Sequence, residues 1–471
     1  MWKGRFSEDT SGMVQDFTQS LDMDWCLAKY DIAGSIAHAR MLGVIGILKD
    51  EEIIEIEKGL LRVKKEIENG SFIPSVELED VHMNIEQRLT DIIGPTGAKL
   101  HSGRSRNDQT ATALRLFLRD RLVCIGEGII ELLKIILKQA QYHNGTIIPG
   151  YTHLQQAQPI NMGHYWMSRF FPFFRDGQLL VNALRSCNVS PLGAGALAGS
   201  TLPLDRELTA NALGFDSITE NSMDSVSSRD YLLDYHYFAS RFILHCSRFS
   251  EDLVIYSSQE FGWLILPDQF CTGSSMMPQK KNPDVPELIR GKTGQVTGNF
   301  LDLLFTLKGL PSTYNRDLQE DKKGLLASLK SIEDVIRIFP SLISKIEVDE
   351  EKVFRESFSG LCLATDIAEY LVMKNVPFRE SHWKVGRLVK WCLEQKKDLT
   401  ELDYAEIKEH LPEVNEDVME VISFKSAISR RNVKGGTSPD SVRSQIEDGR
   451  VRLSAIKKDI LDFEKNLFEY E

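Results

Sequence analysis

The clearest pattern in the chain is a set of apolar stripes at helical spacing. Between Gly214 and Gly262 there is neither glycine nor proline, and Phe238, Phe242, Cys246, Phe249, Leu253 and Tyr256 recur at steps of four and three. Such a run places one apolar face along a long helix. Leu118, Leu122, Ile125, Ile129, Leu132 and Ile136 form a second stripe. Val296, Phe300, Leu303 and Leu307 form a third, entered through Pro283 and Pro286 and closed near Gly309 and Pro311. A further helix is predicted to start at Ser438-Pro439, as N-cap and first helical residue after a Gly-Gly pair. Convincing alternating strands are scarce. Long helices with one apolar face each bury it by bundling, so the predicted fold is all-α with a long central helical bundle.

The polar segments divide this pattern into three. "GPTGAKLHSGRSRNDQ" (94–109) reads as a loop closing an N-terminal helical domain, 1–104. The long stripes fill a central domain, 105–356. After "SFSGL" (357–361) the pattern becomes shorter and more charged, giving a small C-terminal helical domain, 357–471. No internal repeat or low-complexity tract is present.

Composition narrows the partners. Of 471 residues, 42% are hydrophobic and 26% charged, as in globular proteins, and the net charge is −12. That balance argues against a nucleic-acid groove or an anionic membrane surface. The stretch "MWKGRFSEDT" has no apolar core, so no secretory signal is expected, and Glu131 and Lys134 interrupt the most apolar run, so no membrane span is expected. Seven scattered cysteines without a CxxC fit reduced thiols and a cytoplasmic location.

Several familiar motifs fail. "GKT" (291–293) has Pro286 where a phosphate-binding loop needs glycine. "GAGALAG" (193–199) fits a relaxed dinucleotide fingerprint but follows "NVSP", which is not a strand. The histidines show no HExxH and no metal spacing with cysteine, so no metal site is legible.

Three polar stretches carry possible chemistry. "GSSMMPQKKNPD" (273–284) is built of ordinary turn residues and suits a surface loop. It also suits a ligand loop: Lys280 can hold a carboxylate, Asn282 can donate to an oxyanion, and Met276 and Met277 can pack the loop over a closed site. "HSGRSRNDQT" (101–110) concentrates Arg104, Arg106, Asn107 and Gln109 before a long helix, where anions are favoured; a solvated connection fits too. "PGYTHLQQAQP" (149–159) sets Thr152 and His153 between prolines, and a lone histidine serves structure or proton transfer.

Together these stretches resemble a known superfamily. "GSSMMPQKKNP" matches the GSSxMPxKxNP signature of the fumarase/aspartase superfamily. "HSGRSRNDQ", "GYTHLQQAQP", "TYNRDLQEDK" (313–322), "SLDMDWCLAKYDIAGSIAH" (20–38) and "GGTSP" near 437 narrow the resemblance to the argininosuccinate lyase family. It extends over nearly the whole chain. One departure is Arg316, where many relatives carry lysine; the positive charge is kept.

The resemblance implies a three-domain protomer, a tetramer with a twenty-helix core, and active sites assembled from three subunits, one for each separated motif. It implies reversible cleavage of argininosuccinate to arginine and fumarate, with no metal or organic cofactor. Ser274 and His153 become the acid–base pair, Lys280 and Asn282 stabilise the carbanion, and Glu287 orients His153. Which of Ser274 and His153 takes the carbon proton stays open; Ser274 is favoured. Ser20, Asp24, Asp80, Arg106, Asn107, Thr152, Arg229, Tyr314, Arg316, Gln319 and Lys322 match positions the family uses for substrate. Other lyases of the superfamily act on adenylosuccinate, aspartate or malate, and some relatives serve as lens crystallins, a structural role on the same scaffold.

Overall fold

The computed structural model describes residues 10–356 and 358–464. Residues 1–9 of the stretch read for a leader, Ser357 at the expected domain boundary and the last residues of the expected third domain lie outside them. Eleven principal helices organise the described chain: α1 (Ala28–Val44), α2 (Asp50–Glu68), α3 (Val81–Ile93), α4 (Arg106–Tyr142), α5 (Met162–Cys187), α6 (Asp230–Tyr256), α7 (Asp284–Leu307), α8 (Asp321–Ile343), α9 (Ala364–Met373), α10 (Phe378–Gln395) and α11 (Pro439–Glu464). The mostly helical class expected from the stripes is what the chain adopts. Strands occur as two-stranded ladders, among them the antiparallel pairs β1 (Ile147–Thr152) with β2 (Gln155–Asn161) and β3 (Thr272–Gly273) with β4 (Lys281–Asn282).

The predicted stripes set the core. All six residues of the second stripe are buried along α4, and Phe238, Phe242, Cys246, Phe249 and Leu253 are buried along α6. Phe249 sits at the centre, its ring 5.4 Å from Phe339 and 5.7 Å from Trp166. The glycine- and proline-free run is not one helix. Ser222–Ser227 forms a separate short helix capped by Asn221, and the chain turns at Ser228–Arg229 before α6 begins.

The third stripe behaves differently. In α7, Val296 and Leu303 are buried, whereas Phe300 and Leu307 are half-buried. Leu288, Leu301, Leu304 and Phe305 stand exposed, Phe305 at 72%. A helix apolar on both faces needs a second surface to cover it.

Two separate hydrophobic clusters form. One holds α1 to α8 together with α11, whose Val442, Ile446, Ile456 and Ile460 pack against α4 and α5. The other runs from Leu363 to Ala427 around α9 and α10. The expected third domain therefore holds two environments: a small separate core, then a helix that returns to the central bundle. Ser438 and Pro439 stand as N-cap and first residue of α11, as read from the sequence.

Candidate active site

A cavity of about 610 Å³ opens between α3, the start of α4 and the start of α8. Nine of the expected substrate residues line it: Ser20, Asp24, Asp80, Arg106, Asn107, Tyr314, Arg316, Gln319 and Lys322. They come from segments hundreds of positions apart in the chain, and helix termini bring them together.

The start of α4 makes one wall. Ser105 is its N-cap and forms a capping box with Asp108, so Arg106, Asn107 and Gln109 lie in the first helical turn rather than before it. Asp108 also accepts from the backbone N–H groups of Gly193 (3.0 Å) and Gly195 (2.9 Å), and Asn107 Nδ2 donates to Ala196 O at 3.1 Å. The stretch that resembles a dinucleotide fingerprint is thus a loop folded around a carboxylate, and Gly195, Ala196, Gly199 and Ser200 line the cavity. Gly195 has φ +63°, and a Cβ there would sit 2.7 Å from Gly199 O, so only glycine fits. Sequence reading missed this wall because its signal, clustered small residues, fits many loops.

The opposite wall is charged. Asp80 caps α3 by accepting from Met83 N at 2.7 Å, and its other oxygen lies 3.0 Å from Arg106 Nε. Arg106 is further fixed by Gln109 Oε1 at 2.6 Å. Behind it, Glu86 meets Arg104 and His101, each at 3.1 Å. Burial alone would push the Glu86 carboxyl up, but His101, Arg104 and Arg106 outweigh it and hold it well below the usual carboxylate range. Glu86, His82 and His101 were not singled out from sequence. His82 Nδ1 bonds Asp31 Oδ1 at 2.8 Å, and its Nε2 bonds Thr110 Oγ1 at 3.1 Å, so both ring nitrogens are used. Asp24 accepts from Ser20 Oγ (2.6 Å) and from Val81 N (3.1 Å), and burial raises its carboxyl above the ordinary range.

The "TYNRDLQEDK" stretch closes the cavity. Arg316 donates to Thr18 O at 2.5 Å and Glu79 Oε1 at 2.6 Å, while Gln319 Nε2 reaches Thr18 O and Gln19 O at 3.3 Å. These contacts tie down the segment that ends in Ser20. Arg229, expected at the substrate, does not line the cavity. It is buried one layer behind, with Nε 2.5 Å from Asp321 Oδ2, and Lys322 Nζ lies 2.8 Å from Asp321 Oδ1.

The other expected residues stand elsewhere in the same chain. Thr152 and His153 are exposed at the tip of the β1–β2 hairpin. The pair Thr152↔Gln155 leaves a two-residue loop in which His153 (φ 55°) and Leu154 (φ 56°) are both left-handed. A tight hairpin turn demands this, and without glycine or asparagine it costs about 1–2 kcal/mol per residue. Leu154 is 62% exposed.

Ser274, Lys280 and Asn282 belong to the β3–β4 hairpin. Its base is fastened by a Thr272–Asp284 hydrogen bond and by Lys281, whose Nζ reaches Asp268 Oδ1 at 2.6 Å. Ser274 Oγ accepts from Met276 N (3.3 Å) and Met277 N (3.1 Å), a small pocket of backbone donors. Lys280 is exposed and its ammonium has no partner among the described residues. Glu287 is exposed in the first turn of α7 and lies 3.8 Å from Arg290 of the same helix. Within one chain, then, neither the histidine tip nor the serine loop lines the cavity.

The long central helices and the signature hairpin define a lyase scaffold of the fumarase/aspartase class. The lyase family model matches residues 4–298, and the argininosuccinate lyase C-terminal model matches residues 361–429. The chain is 47% identical over 453 residues to the argininosuccinate lyase of Alcanivorax borkumensis, covering 96% of this chain and 98% of that one. It is also 47% identical to that of Nitrosococcus oceani, covering 97% of each. The chain belongs to the argininosuccinate lyase family. Among solved structures it resembles an EDDS lyase in complex with formate, with TM-score 0.84, 26% identity and coverage of 94% of this chain and 90% of that one. A class II fumarase from Schistosoma mansoni shares the fold, with TM-score 0.72 at 17% identity, over 85% and 90% of the two chains.

Proposed function

We propose that this chain is an argininosuccinate lyase that releases fumarate and arginine from argininosuccinate, acting in the cytoplasm as a homotetramer with shared sites. The observation that carries the substrate reading is near-half identity to argininosuccinate lyases across almost the whole chain. The cavity supports it, because Arg106, Lys322 and Asn107 offer donors for carboxylates while Asp24 and Asp80 offer partners for a guanidinium. The likeness to an EDDS lyase favours, as second reading, another C–N lyase of the class, at lower identity.

In the proposed chemistry Ser274 takes the proton beside the succinyl carboxylate. The two N–H groups aimed at its oxygen favour the ionised form. Lys280 and Asn282 hold the aci-carboxylate. The C–N bond then breaks, its electron pair leaves with the guanidino nitrogen, and His153 supplies the proton that makes arginine. Thr152 contacts substrate beside it, and Glu287 orients the imidazole. Placement supports the shared site: within one chain neither the histidine hairpin nor the serine loop lines the cavity that gathers the other motifs, and assembly across subunits would bring them together. The exposed apolar face of α7 supports assembly through the central bundle. We further propose the division 1–104, 105–356 and 357–471, with α11 returning to the central core.

The test is the rise of fumarate absorbance on adding argininosuccinate to the purified protein, beside adenylosuccinate, aspartate and malate. Release from argininosuccinate alone supports the proposal; preference for another member of the panel overturns it, and no turnover of any points to the structural role.

A further inference from the structure

Behind the cavity lies a buried ion triad made by the turn before α6 and the first residues of α8. Asp321 accepts from Arg229 Nε at 2.5 Å and from Lys322 Nζ at 2.8 Å. The Arg229 and Asp321 side chains are only 2% and 0% exposed, and Lys322 only 6%. Arg229 is anchored again by the carbonyls of Val226 (3.2 Å) and Ser228 (3.1 Å). Of the three, only Lys322 lines the cavity.

Burying these three charges costs solvation energy that their pairing must offset. The first turn of a helix favours anions, so Asp321 suits its position and Lys322, one residue later, does not. A lysine stem is also flexible, and its ammonium is fixed only by what it bonds. Burial would raise the Asp321 carboxyl, but Lys322 and Arg229 overcome that and keep it below the usual range. It is therefore an ionised acceptor at neutral pH.

We infer that Asp321 is a positioning residue: held by Arg229, it fixes the Lys322 ammonium at the cavity wall to receive a carboxylate of the substrate. Asp321 touches no substrate itself. Its two oxygens are divided between the cations, so Arg229 supplies the anchor and Lys322 the charge that lines the cavity. This rests on the proposed lyase reading for the carboxylate that Lys322 receives.

The test compares Asp321→Asn and Asp321→Glu with the wild-type tetramer, using argininosuccinate kinetics and calorimetric binding of succinate. In Asp321→Asn the acceptor loses its charge. KM should rise about tenfold or more, kcat should change by less, and succinate binding should weaken in parallel. Asp321→Glu, which restores the charge but displaces it, should fall between, with KM raised at least about threefold. A folded Asp321→Asn with wild-type KM and succinate affinity overturns the inference. So does a fall in kcat at wild-type KM in both variants, the signature of a merely structural carboxylate. Should Asp321→Asn not fold, because Arg229 is then a buried unpaired charge, the Glu variant decides alone: wild-type KM in it refutes the positioning role. If the wild type binds succinate but does not cleave argininosuccinate, the lyase reading fails while the binding arm still judges Asp321.

Discussion

At the scale of single residues, placement in one chain says little about Ser274, whose loop is exposed, but its surroundings say more. Its oxygen accepts from two backbone N–H groups, the local cap a serine makes at a turn, and the same donors would stabilise an ionised hydroxyl. Ser274→Ala should leave the fold intact and lower turnover about a hundredfold or more, the size expected for a lost proton-transfer group. Near wild-type fumarate release by that variant would remove Ser274 from the mechanism. A second residue matters for stability. His236 is fully buried on α6, its ring stacked 6.3 Å from Phe300, and neither ring nitrogen has a hydrogen-bond partner among the described residues. Burial lowers it from 6.5 to about 4. Below pH 6.5 the unfolded chain takes up a proton that the folded one refuses. Stability should therefore fall as pH drops from 6.5 to about 4 and level off below, by on the order of 3 kcal/mol. His236→Phe should flatten that slope in denaturant midpoints measured across this range; an unchanged slope would assign acid sensitivity elsewhere. Nothing in the sequence marked His236. It sits on the face of α6 that meets α7, beside the stripe Phe238, Phe242 and Cys246, and burial of an unpaired ring is a tertiary fact that periodicity does not carry.

At the scale of elements, the helices were legible and their ends less so. The α4 and α6 stripes predicted buried residues almost position by position, because a 3.6-residue repeat depends only on local geometry. The start of α6 was not legible: no glycine or proline marks the turn at Ser228–Arg229, which is stabilised by the distant Asp321. The signature loop was legible as a motif and not as a hairpin, since two rungs of ladder leave no alternating pattern. That geometry bears on motion. The hairpin is pinned at its base through Lys281 and Thr272, while its tip, from Ser275 to Lys280, is exposed. Residues 270–285 should exchange amide hydrogens rapidly alone and gain protection with a non-cleaved succinate analogue, as closure excludes water from the carbanion. Strong protection that ligand does not alter would mean a rigid loop without a gating role.

At the scale of the whole molecule, the proposed site is incomplete in a single chain, and this was only half legible. Motif matching named the residues; where each stands followed only from the fold, which gathers nine around one cavity and leaves His153 and Ser274 on other surfaces. The exposed row Leu301, Leu304 and Phe305 on α7 offers the surface through which copies would meet. If they do, the defects of two variants separate physically. His153→Asn damages only the hairpin tip, and Asp80→Gly damages only the cavity wall, where Asp80 holds Arg106 at 3.0 Å. Each homotetramer should be nearly inactive. In a mixed tetramer some sites receive the tip from an Asp80→Gly chain and the wall from a His153→Asn chain, and so carry neither defect. Denaturing the two variants together and refolding them should restore part of the wild-type rate of fumarate release. The fraction depends on mixing ratio and is greatest near equal amounts, while refolding either variant alone restores nothing. Mass spectrometry of differently tagged chains shows whether hybrids formed. Proven hybrids with no recovered activity would mean that tip and wall act within one chain, and the shared site would have to be abandoned.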